Sequence, residues 1–343
     1  MTLSGLLAFA VVFGTIVLFH EAGHFVAARA SGVMVREFAI GLGPVVARVR
    51  RGPTAYTLRL LPLGGFVRLE GMEASPLEGG DTADEEPHLA PDDPRLFRNR
   101  PLWQRMAAIA AGPAMNFVLA GILFAVLFVP PVVEQVDPGS PADLAGIRPG
   151  DRVVRIEDLS TPTATRVVRA VLAARPGQTL DVWVERDGQV RHVAVQMKAD
   201  RPGGYLGVRM HGPRPLPAAL YGGFVEMVDS SGEIIRVVGR MLAGREAFNV
   251  AGPVGIYSMV QEAASRGSYS LVGLAAVLSV NLGLINLLPL PLLDGGWLLF
   301  LLLEGIRRRP LEPRLQSAAQ VLGLMLLLAL MLLATYLDLQ RLG

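Results

Sequence analysis

The chain has 343 residues, of which 51% are hydrophobic and 18% are charged, and its mean hydropathy is +0.42. These values are too apolar for an ordinary soluble domain, so spans of a lipid bilayer must account for the excess. The net charge of +2 is too small to indicate a nucleic-acid partner, and the absence of cysteine excludes disulfides, thiolate metal sites and thiol nucleophiles.

Four segments are long enough, or nearly so, for the roughly 20 residues that a membrane-spanning helix needs. They cover residues 3–30, 106–129, 271–303 and 321–337. Arginines cluster in the connections after the first and third segments. Because short cytoplasmic loops are rich in basic residues, we expect these two connections to be cytoplasmic. Both termini and the stretch from residue 130 to residue 270 then lie on the opposite side.

Before Arg29 at its end, the first segment carries three ionisable residues, His20, Glu21 and His24, in the run HEAGH. A charged group at bilayer depth costs at least roughly 2.5 to 3.5 kcal/mol, so these residues indicate a function. On a helix the two histidines share a face, the spacing with which two imidazoles bind one Zn²⁺ while the glutamate between them transfers protons. We predict a catalytic zinc site within the membrane. A proton relay and a site that has lost its metal are the alternatives.

Two regions lie between the first segment and the second. Residues 45–69 are strand-like, with predicted turns at residues 51–53 and 62–65, and an acidic, proline-containing stretch at residues 73–93 reads as a loop. The second segment contains the run GPAMN from Gly112 to Asn116, in which Pro113 is expected to kink the helix. We expect the first segment to be retained, because no signal-peptide cleavage site precedes its histidines.

Residues 131–212 resemble the circularly permuted PDZ domains of bacterial proteases. The likeness rests on the run SPADLAGIRPGD at residues 140–151 and on GYLGV at residues 204–208. It implies that Tyr205, Leu206 and Gly207 form the loop that receives a peptide carboxylate through backbone N–H groups. The alternative is a domain that only blocks access by bulky substrates. Residues 213–270 have apolar residues at helical spacing and are predicted to lie along the membrane surface.

The third segment should break near the middle of the membrane. Two prolines, Pro289 and Pro291, cannot continue a regular helix, and a broken helix at that depth must be buried in protein or line a cavity. Asp294 follows the break and is our candidate for the third zinc ligand, since catalytic zinc usually has three protein ligands. Its alternative role is to cap the helix that restarts there.

Taken in order, the motifs of the three segments resemble the signature of the site-2 protease family of intramembrane metalloproteases. These motifs are HEAGH, GPAMN and the run from Asn286 through Pro289 to Asp294 and Gly295. The bacterial regulator-of-sigma-E proteases are the branch that they resemble most. Trp297 stands where relatives often carry histidine, and the outer part of the chain has room for one PDZ domain where relatives can have two.

The resemblance implies a zinc ion held by His20, His24 and Asp294, with a water molecule as the fourth ligand. Glu21 would be the general base. Asn116 and Asn286 would bind a substrate backbone or an oxyanion, with helix-to-helix hydrogen bonding as the alternative. Such proteases cut single-pass membrane proteins, such as anti-sigma factors, after an upstream site-1-type protease has trimmed them, in the bacterial inner membrane.

We therefore predict a polytopic α-helical membrane protein with four transmembrane helices, a membrane-associated β-hairpin region and one extracytoplasmic PDZ domain. The alternative function is a catalytically silent scaffold that recruits proteins through its PDZ domain, which would have no need of Glu21. The predicted divisions are the first span (1–30), the β-hairpin region with the acidic loop (31–105), the second span (106–130), the PDZ domain (131–212), the amphipathic segment (213–270), the broken third span (271–305), and the basic loop with the fourth span (306–343).

Overall fold

A computed structural model gives the architecture of the chain and describes residues 2–72, 89–198, 204–246 and 251–342. Within these ranges, four helices are long and apolar enough to cross a membrane. They are Leu3–Ala30, Leu102–Val126, Ser268–Asn286 and Arg314–Gln340. Each overlaps one of the four segments that the hydropathy predicts as spans. The chain divides into two compact units, Met1–Ala120 with Met227–Gly343, and Gly121–Glu226.

The first unit begins with helix α1 (Leu3–Ala30). Thr2 is its N-cap, and the Thr2 hydroxyl accepts a hydrogen bond from the amide of Gly5. Two long antiparallel strands follow, β1 (Val35–Arg51) and β2 (Thr54–Leu69). They are joined at the first of the two turns that the sequence predicts. This hairpin, together with α1, forms the part of the first unit that lies beside the candidate metal centre.

Strand β2 continues through the second predicted turn, at residues 62–65, without ending. The chain bends there instead, at Gly64, whose φ of +87° is a conformation that glycine adopts without strain. As a result, Ile40 of β1 has Leu58 of β2 on one side and Gly65 of β2 on the other. The two strands therefore form a curled sheet in which the segment after Gly64 pairs with β1 a second time.

Helix α2 (Leu102–Val126) contains Pro113, and its backbone comes unusually close to α1. A Cβ atom added to Gly23 of α1 would lie 2.2 Å from the carbonyl oxygen of Ala111, closer than real Cβ contacts come. Only glycine fits at this crossing, and the absence of its side chain lets the two backbones pack against each other.

The described residues of the second unit include six short strands and two short helices. Its core is formed by buried side chains of the sheet, such as Val153, Val182 and Val184, which are all 0% exposed. The elements are β3 (Val133–Val136), α3 (Pro141–Leu144), β4 (Arg152–Ile156), β5 (Leu159–Ser160), α4 (Ala164–Leu172), β6 (Thr179–Arg186), β7 (Gln189–Gln196) and β8 (Val208–Met210). One sheet has the strand order β5-β4-β6-β7, and β3 pairs with β8.

Five helices complete the described chain. They are α5 (Leu216–Leu242), α6 (Pro253–Arg266), α7 (Ser268–Asn286), α8 (Asp294–Arg307) and α9 (Pro313–Leu342). The third predicted span is thus two helices, because α7 ends three residues before Pro289 and α8 starts three residues after Pro291. Arg105 at the start of α2 donates two hydrogen bonds, of 2.6 and 3.0 Å, to the carboxylate of Glu304 on α8.

Two predicted regions correspond only in part to described elements. The amphipathic segment expected at residues 213–270 comprises α5 and α6, with the first residues of α7. Large apolar side chains are exposed along α5, among them Leu220, Phe224 and Ile235. Most of the acidic stretch expected to be a loop, residues 73–88, lies outside the described residues.

Candidate metal centre

The HEAGH run lies in the second half of α1, where its three ionisable side chains are buried. His20, Glu21 and His24 are each 7 to 8% exposed. The four-residue spacing puts both imidazoles on one side of the helix, with their Nε2 atoms 3.2 Å apart. The two nitrogens are therefore presented to one point, as the helical spacing predicts.

Asp294, the first residue of α8, is brought to the same point by the break between α7 and α8. Its carboxylate oxygens lie 3.1 Å from Nε2 of His20 and 3.4 Å from Nε2 of His24. The next residue is held against the preceding loop, because a Cβ atom on Gly295 would lie 2.1 Å from the carbonyl oxygen of Leu288. The glycine after Asp294 thus permits the tight turn that directs the carboxylate to the histidines.

The three side chains fit a zinc ion. One ligand atom from each of His20, His24 and Asp294 lies within 4.8 Å of the other two, so a single ion can contact all three. Oδ2 of Asp294 is buried and accepts no hydrogen bond, although Nε2 of His20 lies near it. Two imidazole nitrogens and one carboxylate oxygen are ligands that catalytic zinc takes. A divalent cation would also balance the buried carboxylate of Glu21 and the partly buried carboxylate of Asp294.

Helix α2 supplies no ligand, but it contacts both histidines from behind. Nδ1 of His24 lies 2.9 Å from the backbone carbonyl oxygen of Ala108, and Nδ1 of His20 lies 3.1 Å from the side-chain amide of Asn116. Between them, Gly112 faces His24 so closely that an added Cβ atom would lie 2.1 Å from Nε2. The glycine and asparagine of the GPAMN run thus both face the histidines.

A cavity of about 270 Å³ opens beside the three candidate ligands, within the first unit. Glu21 lines it, together with Asn286 from the end of α7. Part of the cavity wall is formed by β2, through Gly65 and Phe66 and their neighbours. A Cβ atom on Gly65 would lie 3.0 Å from Cγ of Glu21, so the strand runs directly over the glutamate. The cavity has room for a short stretch of extended backbone.

The two asparagines expected to bind substrate occupy different places. Asn286 lines the cavity, and its amide nitrogen lies 3.5 Å from Nε2 of His20. Asn116 is 0% exposed, and the structure does not bring it to the cavity wall. Its side chain faces His20 instead.

The three residues expected to bind a peptide carboxylate lie in the second unit, just before β8. The side chain of Leu206 is buried in the core of that unit, and Gly207 has a φ of +77°. The hydroxyl of Tyr205 donates a hydrogen bond of 2.5 Å to the carboxylate of Asp137. The loop is thus fixed by a buried side chain and by a hydrogen bond to the residue that follows β3.

The sequence did not indicate two groups at this site. The carbonyl of Ala108 is a backbone atom, so no residue type could point to it. Gly65 and Phe66 were expected in or next to a turn, and their place on the cavity wall depends on the second pairing of β2 with β1. The glycine pair at residues 64–65 was the available signal, because glycine within a strand marks a close approach of backbone.

Comparisons with known proteins agree with this geometry. The family model described as "Peptidase family M50" matches residues 8–330. The chain is 32% identical to the regulator of sigma-W protease RasP of Bacillus subtilis, with 100% of both chains covered. It is also 32% identical to the zinc metalloprotease RasP of Geobacillus kaustophilus, with 99% of both covered, and 30% identical to that of Shouchella clausii, with 98% and 99% covered.

Among solved structures, the PDZ domain of an SdrC-like protein from Listeria innocua matches 25% of this chain and 96% of its own length. The identity is 21% and the TM-score is 0.22, too low to assign a fold to the second unit. The family match, in contrast, extends over both units and includes all three candidate ligands. The chain therefore belongs to peptidase family M50, the site-2 protease family, and is a zinc metalloendopeptidase of the membrane.

Proposed function

We propose that this enzyme binds Zn²⁺ through His20, His24 and Asp294 and hydrolyses peptide bonds within the membrane, with Glu21 as its general base. The observation that carries the proposal is the convergence of the three ligand atoms from two separate apolar stretches of the chain. A catalytically silent scaffold would need neither this convergence nor a glutamate on the wall of the same cavity.

The residues around the cavity have different roles in hydrolysis. When bound, Zn²⁺ supplies a Lewis acid that polarises the scissile carbonyl and activates the attacking water. Glu21 takes a proton from that water as the new C–O bond forms, and it returns the proton to the leaving amine as the C–N bond breaks. Asn286, on the same wall, donates a hydrogen bond to the substrate backbone or to the oxyanion.

The substrates are single-pass membrane proteins, such as anti-sigma factors, that another protease of the site-1 type has already shortened. A transmembrane helix hides its amide groups in i to i−4 hydrogen bonds, so it must be unwound before hydrolysis. The segment of β2 after Gly64 supports this step, because it pairs with β1 on one side and lines the cavity through Gly65 and Phe66. A substrate strand added to this segment is held extended over Glu21.

The second unit acts as a PDZ domain on the extracytoplasmic side of the bacterial inner membrane, the side that the arginine distribution indicates. Its role is to bind a peptide end at Tyr205, Leu206 and Gly207, or to exclude substrates that keep a large ectodomain. Two observations support the first role. The loop before β8 is fixed by the hydrogen bond of Tyr205. Among the described strands β8 pairs only with β3, which leaves its other edge for a peptide.

The proposal is tested by co-expressing the wild type or Glu21→Gln with a tagged single-pass reporter. Two reporters are needed, one with a short ectodomain and one with a large folded ectodomain. We expect the wild type to release a cytosolic fragment from the short reporter and less of it from the large one. Glu21→Gln should release about 10²- to 10⁴-fold less fragment than the wild type, which is the cost of a missing general base.

Zinc content of the purified variants completes the design. Glu21→Gln should keep one zinc per chain, because the glutamate is not a ligand in this proposal, whereas Asp294→Ala should lose it. Equal release of the fragment by the wild type and by Glu21→Gln would exclude Glu21 as the base. Full zinc content in Asp294→Ala would exclude Asp294 as a ligand.

A further inference from the structure

Asn116 holds a buried amide directly behind one of the candidate zinc ligands. It is 0% exposed, and its side-chain nitrogen lies 3.1 Å from Nδ1 of His20. In this orientation the side-chain oxygen of Asn116 is buried and has no hydrogen-bond partner among the described residues. A buried amide oxygen without a donor is costly, so the orientation of this group needs an explanation.

Zinc coordination determines which end of the amide must face His20. When Nε2 of His20 binds a metal, the proton of the neutral ring is on Nδ1, which must then donate a hydrogen bond. An amide nitrogen cannot accept that bond, but an amide oxygen can. A half-turn of the amide group exchanges its oxygen and nitrogen, which occupy nearly the same volume. This turn brings the orphaned oxygen to Nδ1 of His20.

The position of Asn116 is fixed from the side of α7. The hydroxyl of Ser279 donates a hydrogen bond of 2.8 Å to the backbone carbonyl of Asn116. A Cβ atom added to Gly283 would lie 3.3 Å from Cβ of Asn116, so α7 packs closely against this residue. The backbone and the Cβ atom of Asn116 are therefore held in place before any metal binds, as the support of a group that orients a ligand must be.

The other histidine has the matching arrangement. Nδ1 of His24 lies 2.9 Å from the carbonyl oxygen of Ala108, which is about two helical turns before Asn116 on α2. Ala108, Gly112 and Asn116 are spaced by four residues, so they form one stripe of α2 toward α1. In this stripe the backbone oxygen of Ala108 contacts His24, Gly112 leaves space for His24, and the amide of Asn116 contacts His20.

We propose that Asn116 is a positioning residue of the zinc site: its Oδ1 accepts the Nδ1–H of His20 and thereby keeps Nε2 directed at the metal. Asn116 does not contact substrate in this proposal. The inference rests on the proposed function, because it requires His20 to be a zinc ligand. Partners of this kind hold the ring orientation of a metal-bound histidine and raise its affinity for the metal.

The test compares Asn116→Leu and Asn116→Ala, which remove the acceptor, with Asn116→Asp, which keeps one. Each full-length variant is purified in detergent, and its zinc affinity is measured by competition with a chromophoric chelator. Co²⁺ is then substituted for zinc, and its visible absorption bands report the ligand geometry. We expect Leu and Ala to weaken zinc binding by about 10- to 100-fold and to alter the Co²⁺ bands, and Asp to remain within about 3-fold of the wild type.

Val118→Ala is the matched control, since Val118 lies two residues further along α2 and is 50% exposed, so the change should leave zinc affinity and the Co²⁺ spectrum as in the wild type. Wild-type zinc affinity and an unchanged spectrum in Asn116→Leu or Asn116→Ala would overturn the inference. If Asn116→Leu does not fold, as judged by helical circular dichroism, the result for Asn116→Ala, which has the smaller side chain, is used instead. His20→Ala separates the two proposals. If this variant keeps its zinc, His20 is not a ligand and the proposed function fails. If it loses zinc while the Asn116 variants keep theirs, only the positioning role of Asn116 is rejected.

Discussion

Gly112 of α2 limits where the imidazole of His24 can lie. An added Cβ atom would lie 2.1 Å from Nε2 of His24 and 2.5 Å from its Cε1, so the imidazole occupies the space that a side chain would need. Nε2 is also the atom that lies 3.4 Å from Asp294. The absence of one methyl group on α2 therefore determines where a candidate zinc ligand can stand.

Replacing Gly112 by alanine should expel His24 from this position. We expect Gly112→Ala to lower zinc affinity by about 10- to 100-fold, as loss of a ligand's support does, and to lower peptidase activity to the same extent. Zinc content and chelator competition on the purified full chain provide the measurement.

Gly121 on the same helix is the matched control for Gly112, because nothing lies within 4 Å of a Cβ atom added there. Gly121→Ala should keep full zinc affinity and gain up to about 1 kcal/mol of helix stability. Equal zinc affinity in both alanine variants would contradict the steric argument.

Helices α6 and α9 are joined by a buried carboxylate. Asp338 of α9 is 3% exposed, and its Oδ2 accepts a hydrogen bond of 2.7 Å from the amide of Gly255 in the first turn of α6. A carboxylate is favoured at that place because the amides of a first helical turn lack helical partners and the helix dipole is positive there. Cβ atoms on Gly252 or Gly255 would come within 2.7 Å of this carboxylate, so the two glycines leave space for it.

We expect Asp338→Ala to destabilise the first unit by about 1 to 3 kcal/mol, because it leaves the partly buried amide of Gly255 without its acceptor. Asp338→Asn keeps an acceptor but loses the charge, so it should cost less, about 0.3 to 1 kcal/mol. Thermal unfolding of the full chain in detergent measures both. Gln340 on the same helix is exposed, and Gln340→Ala should leave the unfolding temperature unchanged. Identical curves for Asp338→Ala and the wild type would mean that this contact contributes nothing to stability.

Hydropathy and local sequence rules were enough to predict the four spans, the break between Asn286 and Asp294, and the one-sided placement of His20 and His24. Each of these depends on residues that are close together in the chain, such as the proline pair that ends a helix. The apolar length and the helical period carry this information without knowledge of the rest of the fold.

Contacts between distant parts of the chain could not be predicted in the same way. The buried network in the hairpin is an example: Glu37 accepts hydrogen bonds of 2.8 Å from Arg59 and 2.7 Å from Thr57, across the two strands. The position of Asn116 behind His20 likewise spans 96 residues. Such contacts follow from strand register and helix packing, which single-segment patterns do not determine.

The two units depend on different forces for their stability. The four membrane-crossing helices have only 17 to 33% of their apolar windows buried, so most of their apolar surface needs lipid. The second unit has a closed core of its own, including Val153, Val167 and Val195 at 0% exposure. Because its core excludes water by itself, its stability should respond to pH and denaturant like that of a water-soluble domain.

One buried ion pair makes the second unit sensitive to acid. Asp151 is 0% exposed and accepts hydrogen bonds of 2.6 and 2.7 Å from Arg186, and one of 2.9 Å from the amide of Arg148. Burial alone would raise the pKa of Asp151, but these bonds outweigh it and hold the pKa below its usual value. A carboxyl with a depressed folded pKa stabilises the fold above its unfolded pKa of about 3.9, and this stabilisation is lost as pH falls through the folded value.

We therefore expect the second unit to unfold at lower urea concentration as pH falls below about 4, and Asp151→Asn to remove about 1 to 3 kcal/mol at pH 7 and to flatten that pH dependence. Trp183 of β6 reports the unfolding by fluorescence in a full chain whose other two tryptophans are replaced by phenylalanine. Asp181, half-exposed and paired with the equally exposed His192, is the control, since Asp181→Asn removes a surface pair that contributes at most about 1 kcal/mol. A urea midpoint that changes with pH identically in the Asp151→Asn variant and its parent would show that another carboxyl group governs the acid response.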